Sequence, residues 1–240
     1  DAIVNCAGAN VASGRWTKNR KKVLRESRLC STQLLVETIS QLKSPPSLFL
    51  SASAAGYYGS RGLSVSDESS ACGQGFLAEL CQDWEAASQE KLPRNTRAIN
   101  LRFGIVLGQF GGILSKLAPL YRLHLGAMLG DGNQYVSWVS LVDAVRAIEF
   151  LLHDPTIAGP VNVTSPYPVT NAEFTRSYAA HFGYRARLRI PAAVLRFLLG
   201  QIADELLLTS SRAIPTKLIS RGFKFQFPDV DSALRWICML

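Results

Sequence analysis

The densest run of groups able to exchange a proton is Ser51-Ala-Ser-Ala-Ala-Gly-Tyr-Tyr-Gly59, in which two hydroxyls (Ser51, Ser53) and two phenols (Tyr57, Tyr58) sit among residues too small to hide them. A phenol there could donate or accept a proton only if its pKa fell from about 10 toward neutrality. Both rings could equally be packing groups on a mobile loop. Elsewhere the chemistry-bearing residues are dispersed. His124, His153 and His181 have no partner at ligand spacing, so no metal is expected. The five cysteines (Cys6, Cys30, Cys72, Cys81, Cys238) are odd in number and never two residues apart, which suits a reducing compartment rather than a disulfide framework or a zinc site. The basic run Lys18-Asn-Arg-Lys-Lys22, with Arg15, Arg25 and Arg28 nearby, would spread around most of a helix. Only Trp16 could offer a stacking surface, so a solvated helix face is expected and no nucleic-acid partner.

These groups must be held by a sizeable core. Of 240 residues 48% are hydrophobic and 18% charged, which excludes disorder, and the length suits one large domain or one with a small appendage. The net charge of +8 favours a polyanionic partner or a phosphate-bearing ligand without deciding between them. The most apolar region, 192–208, is broken by Arg196, Asp204 and Glu205, so no membrane span is expected.

Residues 2–7 form a short apolar run ending in Asn, Ala and Gly, as a buried parallel strand does where it meets a loop. A helix is predicted over about 17–42, with Val23, Leu24, Leu34, Leu35, Ile39 and Leu42 near helical spacing, stopped by Pro45 and Pro46. Further strands are predicted at 47–53, 97–107, 134–139 and 161–163, with a glycine-rich loop at 126–132. Helices are predicted at 75–87, 143–152, 170–182, 192–208 and 211–220, and from Asp229 onward. Thr170 and Glu173 read as a capping box. Strand and helix alternating at this spacing define an α/β protein, a doubly wound parallel sheet with helices on both faces and a small α-rich C-terminal region.

At residues 1–8, 51–59, 101–108 and 138–143 the sequence resembles the extended short-chain dehydrogenase/reductases, the superfamily of NAD-dependent epimerases and dehydratases. It is similar in particular to the YfcH-type epimerase family proteins. The motifs are Gly14-Arg-Trp16, Ser27-Arg28, the 51–59 run, Phe76-Leu-Ala-Glu-Leu-Cys81 with Asp83-Trp-Glu85, and Ser165-Pro-Tyr-Pro-Val-Thr-Asn171. Residues 190–236 resemble that family's small C-terminal domain of unknown function, through Pro191, Leu199-Gly200, Arg212, Pro215 and Gly222-Phe223. The resemblance implies a Rossmann-like domain over 1–165 and a substrate-side region over 166–240. It implies a nicotinamide cofactor, NADP(H) or NAD(H), with NADP(H) favoured by the resemblance alone. It places Ala7, Gly8, Ser51, Ala52, Arg102 and Gly104 beside the cofactor. Trp138, Asn162 and Arg212, with the 126–132 loop, would face the substrate. Ser53, or Ala54 if the doubled tyrosine shifts the register, falls where relatives orient the substrate oxygen, and Tyr57 or Tyr58 would exchange its proton.

Typical members place Tyr-x-x-x-Lys at the start of the next helix, where the lysine one turn on lowers the tyrosine pKa. Here those positions hold Phe76 and Leu80, and a helix asparagine that supports the proton relay is replaced by Arg28. Ser140 and Val142 stand where relatives often have His and Asp, and Asp143 is expected to cap its helix. The glycine-rich pyrophosphate turn has no counterpart in these residues, so the resemblance implies an N-terminally incomplete fragment with a bare β edge, prone to aggregate and weak in cofactor affinity. The reading is a cytoplasmic, NAD(P)-binding, atypical reductase or epimerase-like protein acting on a small molecule by hydride transfer. The alternative is a catalytically silent cofactor-binding regulatory protein.

Overall fold

The computed structural model describes residues 1–239. It runs β1 (Ala2–Asn5), α1 (Lys18–Gln41), β2 (Leu48–Ala54) continuing into a 3₁₀ turn (Ala55–Tyr58), β3 (Val65–Ser66), α2 (Phe76–Ala87), β4 (Arg97–Phe103), β5 (Ile105–Leu107) and α3 (Gly112–Arg122). Then follow β6 (Ala127–Leu129), β7 (Tyr135–Val136), β8 (Trp138–Ser140), α4 (Leu141–His153), β9 (Gly159–Val163), β10 (Val169–Thr170) and α5 (Asn171–Ala180). The chain closes with β11 (Leu188–Ile190), α6 (Ala192–Leu199), a π turn (Ala203–Leu207), β12 (Arg212–Ala213), α7 (Thr216–Ser220) and α8 (Val230–Met239).

The central sheet is parallel in the order β1-β2-β4-β9, with Val4 opposite Leu50, Leu50 opposite Ile99 and Leu101 opposite Val161. Six of the seven β2 residues are buried because both faces of the sheet are covered. Phe49 packs with Val36 and Ile39 of α1 on one face. Leu48, Leu50, Ile99 and Leu101 meet Ala144, Ala147 and Leu151 of α4 and Leu218 of α7 on the other. This is the doubly wound α/β arrangement that strand–helix alternation predicts. A second cluster, built on Trp138, Tyr178, Phe227 and Leu234, fills the C-terminal region. No helix among the described residues is long and apolar enough to cross a membrane.

Departures from the sequence expectations have local causes. The strand predicted over 97–107 is two strands: β4 stays in the central sheet, and β5 turns away to pair with β8. Gly104 is the pivot, where a Cβ would stand 2.8 Å from the Ser137 carbonyl oxygen, a close approach only glycine allows. The 134–139 strand divides likewise into β7 and β8, and the 126–132 loop contains β6, paired with β11. The helix expected over 211–220 begins only at Thr216, because Arg212 and Ala213 are drawn into a bridge with β3. Gly200 ends α6 inside the stretch predicted as one helix. In α1, Val23 and Leu34 are exposed, as is Leu42, the extended residue that caps its end, and the buried positions are Leu24, Thr32, Val36 and Ile39.

The capping box forms as the sequence indicates, with Glu173 N–H donating to Thr170 Oγ1 and Thr170 N–H to the Glu173 carboxylate. The N-cap of α4 is Ser140, not Asp143: Ser140 Oγ accepts from the Asp143 amide at 2.9 Å. Fully buried Asp143 instead accepts from the amides of Gln226 and Phe227, at 2.7 and 2.9 Å, and so ties the segment before α8 to the start of α4.

Candidate active site

The carboxyl ends of β2 and β4 are where an open parallel sheet offers its ligand crevice. A pocket of about 420 Å³ opens there, floored by Ser53, Ala54, Gly56, Phe103 and Gly104. Its near wall is Leu77, Leu80 and Trp84 of α2 with Arg28 of α1, and its far wall is the π turn and the strand around Tyr135. The wall is predominantly apolar.

Beneath the floor lies a closed network of charged and polar groups. Arg102, 3% exposed, makes a bidentate pair with Glu85, Nε to Oε1 and Nη2 to Oε2, both at 2.8 Å. Its third donor, Nη1, reaches the Tyr58 hydroxyl at 2.9 Å, and the guanidinium lies 3.5 Å from the Tyr57 ring centre. Tyr58 Oη in turn donates to Asn162 Oδ1 at 2.7 Å, and Asn162 Nδ2 donates to the Ile214 carbonyl at 2.8 Å. At the other end, Ser53 Oγ donates to Glu85 Oε1 at 2.7 Å. A single chain of contacts therefore runs from the pocket floor to β9. It gives each of the three nitrogens of the buried guanidinium a partner, and one of the partners is a carboxylate, as burial of a charge requires. Gly73, where a Cβ would collide with the Tyr58 carbonyl, lets the segment before α2 close over this turn.

Burial pushes the Tyr58 phenol up to about 12, although Arg102 pulls it down. Burial likewise takes Tyr178 to about 12. A phenol whose pKa rises on folding keeps its proton in the native state while the unfolded chain ionises. Its contribution is therefore complete below pH 10 and is lost as pH climbs through about 12. In a titration followed by phenolate absorbance, Tyr58 and Tyr178 are expected to ionise together with alkaline unfolding. Smooth ionisation of all seven tyrosines near pH 10 without unfolding would contradict the buried placement.

Of the residues expected at the site, Ser53 and Gly104 line the pocket. Tyr58, Arg102 and Asn162 are brought together in the network under it, each at most 3% exposed. Tyr57 is half-buried against Arg102. Ala7 and Gly8 are exposed just past β1, where a Cβ on Gly8 would come within 3.0 Å of the Arg28 guanidinium. Ala52 is buried in β2, as is Ser51, whose hydroxyl meets no hydrogen-bond partner among the described residues. Trp138 is fully buried in the second cluster, its indole N–H donating to the Tyr167 carbonyl at 3.1 Å. Arg212 lies over the Tyr135 ring, 4.7 Å from its centre.

Phe76 and Leu80, at the positions of the usual Tyr and Lys, belong to an apolar cluster with Trp16, Leu24 and Ile202, in which Phe76 makes an edge contact with Trp16 at 5.2 Å. Sequence reading did not single out Glu85 or Glu205. The signal for Glu85 was available: a carboxylate shares the inward face of α2 with Ala78, Cys81 and Trp84, while Arg102 sits in the buried stretch of β4. Two opposite charges on buried elements call for each other. Glu205 carried no comparable signal, since it reaches the site from a turn far along the chain.

A doubly wound parallel sheet with its pocket over the strand ends is a Rossmann-like arrangement. The model of the NAD dependent epimerase/dehydratase family matches residues 1–164, and a domain of unknown function, DUF1731, matches 190–237. The chain belongs to the NAD dependent epimerase/dehydratase family, with relatives among the proteins called epimerase family proteins. One from Mycobacterium bovis, Mb2239, is 42% identical over 98% of this chain and 77% of its own length. The Homo sapiens protein SDR39U1 is 33% identical over 99% of this chain and 82% of its own. A crystal structure of human SDR39U1 (isoform 2) with NADPH superposes with a TM-score of 0.95 at 32% identity, covering 100% of this chain and 82% of that one. A nucleoside-diphosphate sugar epimerase from Corynebacterium glutamicum gives a TM-score of 0.77 at 31% identity, covering 98% of this chain and 45% of that one.

Proposed function

We propose that this protein binds a nicotinamide dinucleotide, NADP(H) by preference, with the nicotinamide end in the pocket over β2 and β4, and that it acts there as a reductase or epimerase on a small carbonyl or carbinol compound. The observation that carries the reading is the position of Ser53, which lines a pocket at the carboxyl ends of parallel strands. The residues present fit the nicotinamide end. Ala54, Ala55, Gly56 and Gly104 leave backbone bare to a flat ring, and the apolar wall keeps water from it. Ala7 and Gly8 would allow the same approach to the ribose. The NADPH held by the human relative is the basis for preferring the phosphorylated cofactor.

A reduced nicotinamide supplies a hydride to a carbonyl carbon, and the oxidised form removes one from a carbinol. The chain's own part is to orient the substrate oxygen at Ser53 Oγ. In the free chain Ser53 donates to Glu85 at 2.7 Å; toward a carbinol hydroxyl its oxygen accepts as it stands, and toward a carbonyl oxygen the hydroxyl turns from Glu85 to donate. Neither phenol lines the pocket; Tyr57, half-buried against Arg102, is the less enclosed of the two and the one assigned to exchange a proton, and Tyr58 supports the floor through Arg102. The C-terminal region supplies the substrate side, through the π turn and the residues around Ser211.

The test is direct titration with NADPH, followed by incubation of the complex with a panel of ketones and aldehydes. Saturable binding and oxidation of bound NADPH by some member are expected. A second reading, a cofactor-binding protein without turnover, is favoured by Phe76 and Leu80, which replace the usual acid and its lysine with packing groups. Tight NADPH binding with no oxidation across the panel would select it.

A further inference from the structure

The chemistry of the pocket also restricts what can share it with the cofactor. At about 420 Å³ it lies near the small end of the range of ~300–1,000 Å³ for sites that take one drug-sized ligand. A nicotinamide and a nucleoside diphosphate sugar cannot both enter it; a nicotinamide and a compact molecule can. Most of the wall is hydrocarbon or aromatic, from Leu77, Leu80, Trp84, Phe103 and Ile105.

Its two natural anion-binding features are already occupied from within. The N-terminus of α2 points two free amides toward the pocket, and Glu205 from the π turn covers them, its carboxylate accepting from Phe76 N–H at 3.1 Å and Leu77 N–H at 2.8 Å. Gln201 Nε2 holds Glu205 Oε1 at 2.5 Å. Arg28, the one arginine or lysine lining the pocket among the described residues, donates to the backbone carbonyls of Leu24 and Ala9, at 3.0 and 3.1 Å. Its guanidinium lies over the Trp84 ring at 5.1 Å. Both terminal nitrogens are thus turned to backbone carbonyls, so the fork is not presented whole to a phosphate. Against this single cation the wall sets two carboxylates, Asp204 and Glu205, and Asp204 is paired outward with Arg196 at 2.8 Å.

We infer that the substrate is a compact, uncharged, largely apolar carbonyl or carbinol compound, and that Glu205, seated on the α2 N-terminus, is the specificity residue that turns anionic analogues away. The inference rests on the proposed function and names its substrate class. It departs from nucleotide sugars, whose diphosphate would meet Glu205 where it needs donors.

The test compares methyl benzoylformate with benzoylformate, one scaffold in neutral and anionic form, by calorimetric titration of the full chain without cofactor; UDP-glucose is the third ligand. The ester is expected to bind about tenfold or more tightly than the acid, because like charges brought together without water repel strongly. UDP-glucose is expected not to bind. Glu205→Gln removes the charge at nearly constant volume and keeps an oxygen on one of the two amides, and circular dichroism checks that the variant stays folded. The variant is expected to narrow the gap through tighter acid binding. Equal binding of ester and acid to the parent chain, binding of neither, or tighter binding of UDP-glucose overturns the inference. An unchanged gap in Glu205→Gln overturns the role of Glu205. Saturable NADPH binding alongside any of these failures leaves the cofactor reading standing. Ester selectivity without NADPH binding does the reverse.

Discussion

Replacing Glu85 by alanine is expected to cost about 3–5 kcal/mol of stability, the range typical of removing one partner from a buried ion pair. The cost arises less from the lost attraction than from what is stranded. Arg102, 3% exposed, would keep its charge with two of its donors facing no acceptor, and Ser53 Oγ would lose the carboxylate it donates to. The Tyr58 hydroxyl would remain on Arg102 Nη1 but cannot neutralise it. Urea unfolding of the parent and Glu85→Ala measures the difference. A double variant, Glu85→Leu with Arg102→Met, separates charge from packing. It fills similar volume and strands no ion, so it is expected to recover more than half of the loss. A single-variant cost below about 1 kcal/mol, the range of exposed pairs, would mean that water reaches this pair and that the pocket floor is not closed.

Ser53→Ala carries the largest expected effect on activity. If Ser53 Oγ holds the substrate oxygen, its removal should lower kcat on any compound found to oxidise NADPH by about 100-fold, near the lower bound for losing one positioned donor to a developing oxyanion. NADPH affinity should stay within about threefold, because the small alanine leaves the pocket floor in place. The split between kcat and cofactor affinity is the informative readout. A structural role alone would lower stability and affinity together. Full activity in Ser53→Ala would remove Ser53 from the chemistry, and Tyr57 would then be the remaining group on this loop able to exchange a proton.

The sequence disclosed those parts of the fold whose causes are local. The α2 boundaries and the Thr170 capping box follow from residues within one or two turns, and β2 reads correctly because a run buried on both faces is apolar or small throughout. The split at Gly104 was not legible, because it depends on the Ser137 carbonyl arriving from a distant strand. Nor was the bridge of Arg212 and Ala213 to β3, which overrides a helical pattern by tertiary pairing. At the site, the 51–59 run was conspicuous for its composition, and Ser53 does reach the pocket. Composition could not say which side of the sheet floor each hydroxyl would take. Tyr58 and Tyr57 are adjacent, yet only Tyr58 is wholly enclosed, because Asn162 and Arg102 await it there. Residues supplied by remote segments, Glu205 above all, are absent from any local pattern.

The central claim is that the pocket over the ends of β2 and β4 receives the nicotinamide of a bound cofactor. The most direct measurement is NADPH titration followed by its cofactor fluorescence, on the parent chain and on Gly56→Leu, whose side chain would project toward Leu77 and into the pocket. The expected result is saturable binding with enhanced nicotinamide emission in the parent, and loss of that enhancement in Gly56→Leu while the variant keeps the parent's circular dichroism. Identical binding and emission in the two chains would contradict the account, because the nicotinamide would then lie somewhere other than over Ser53.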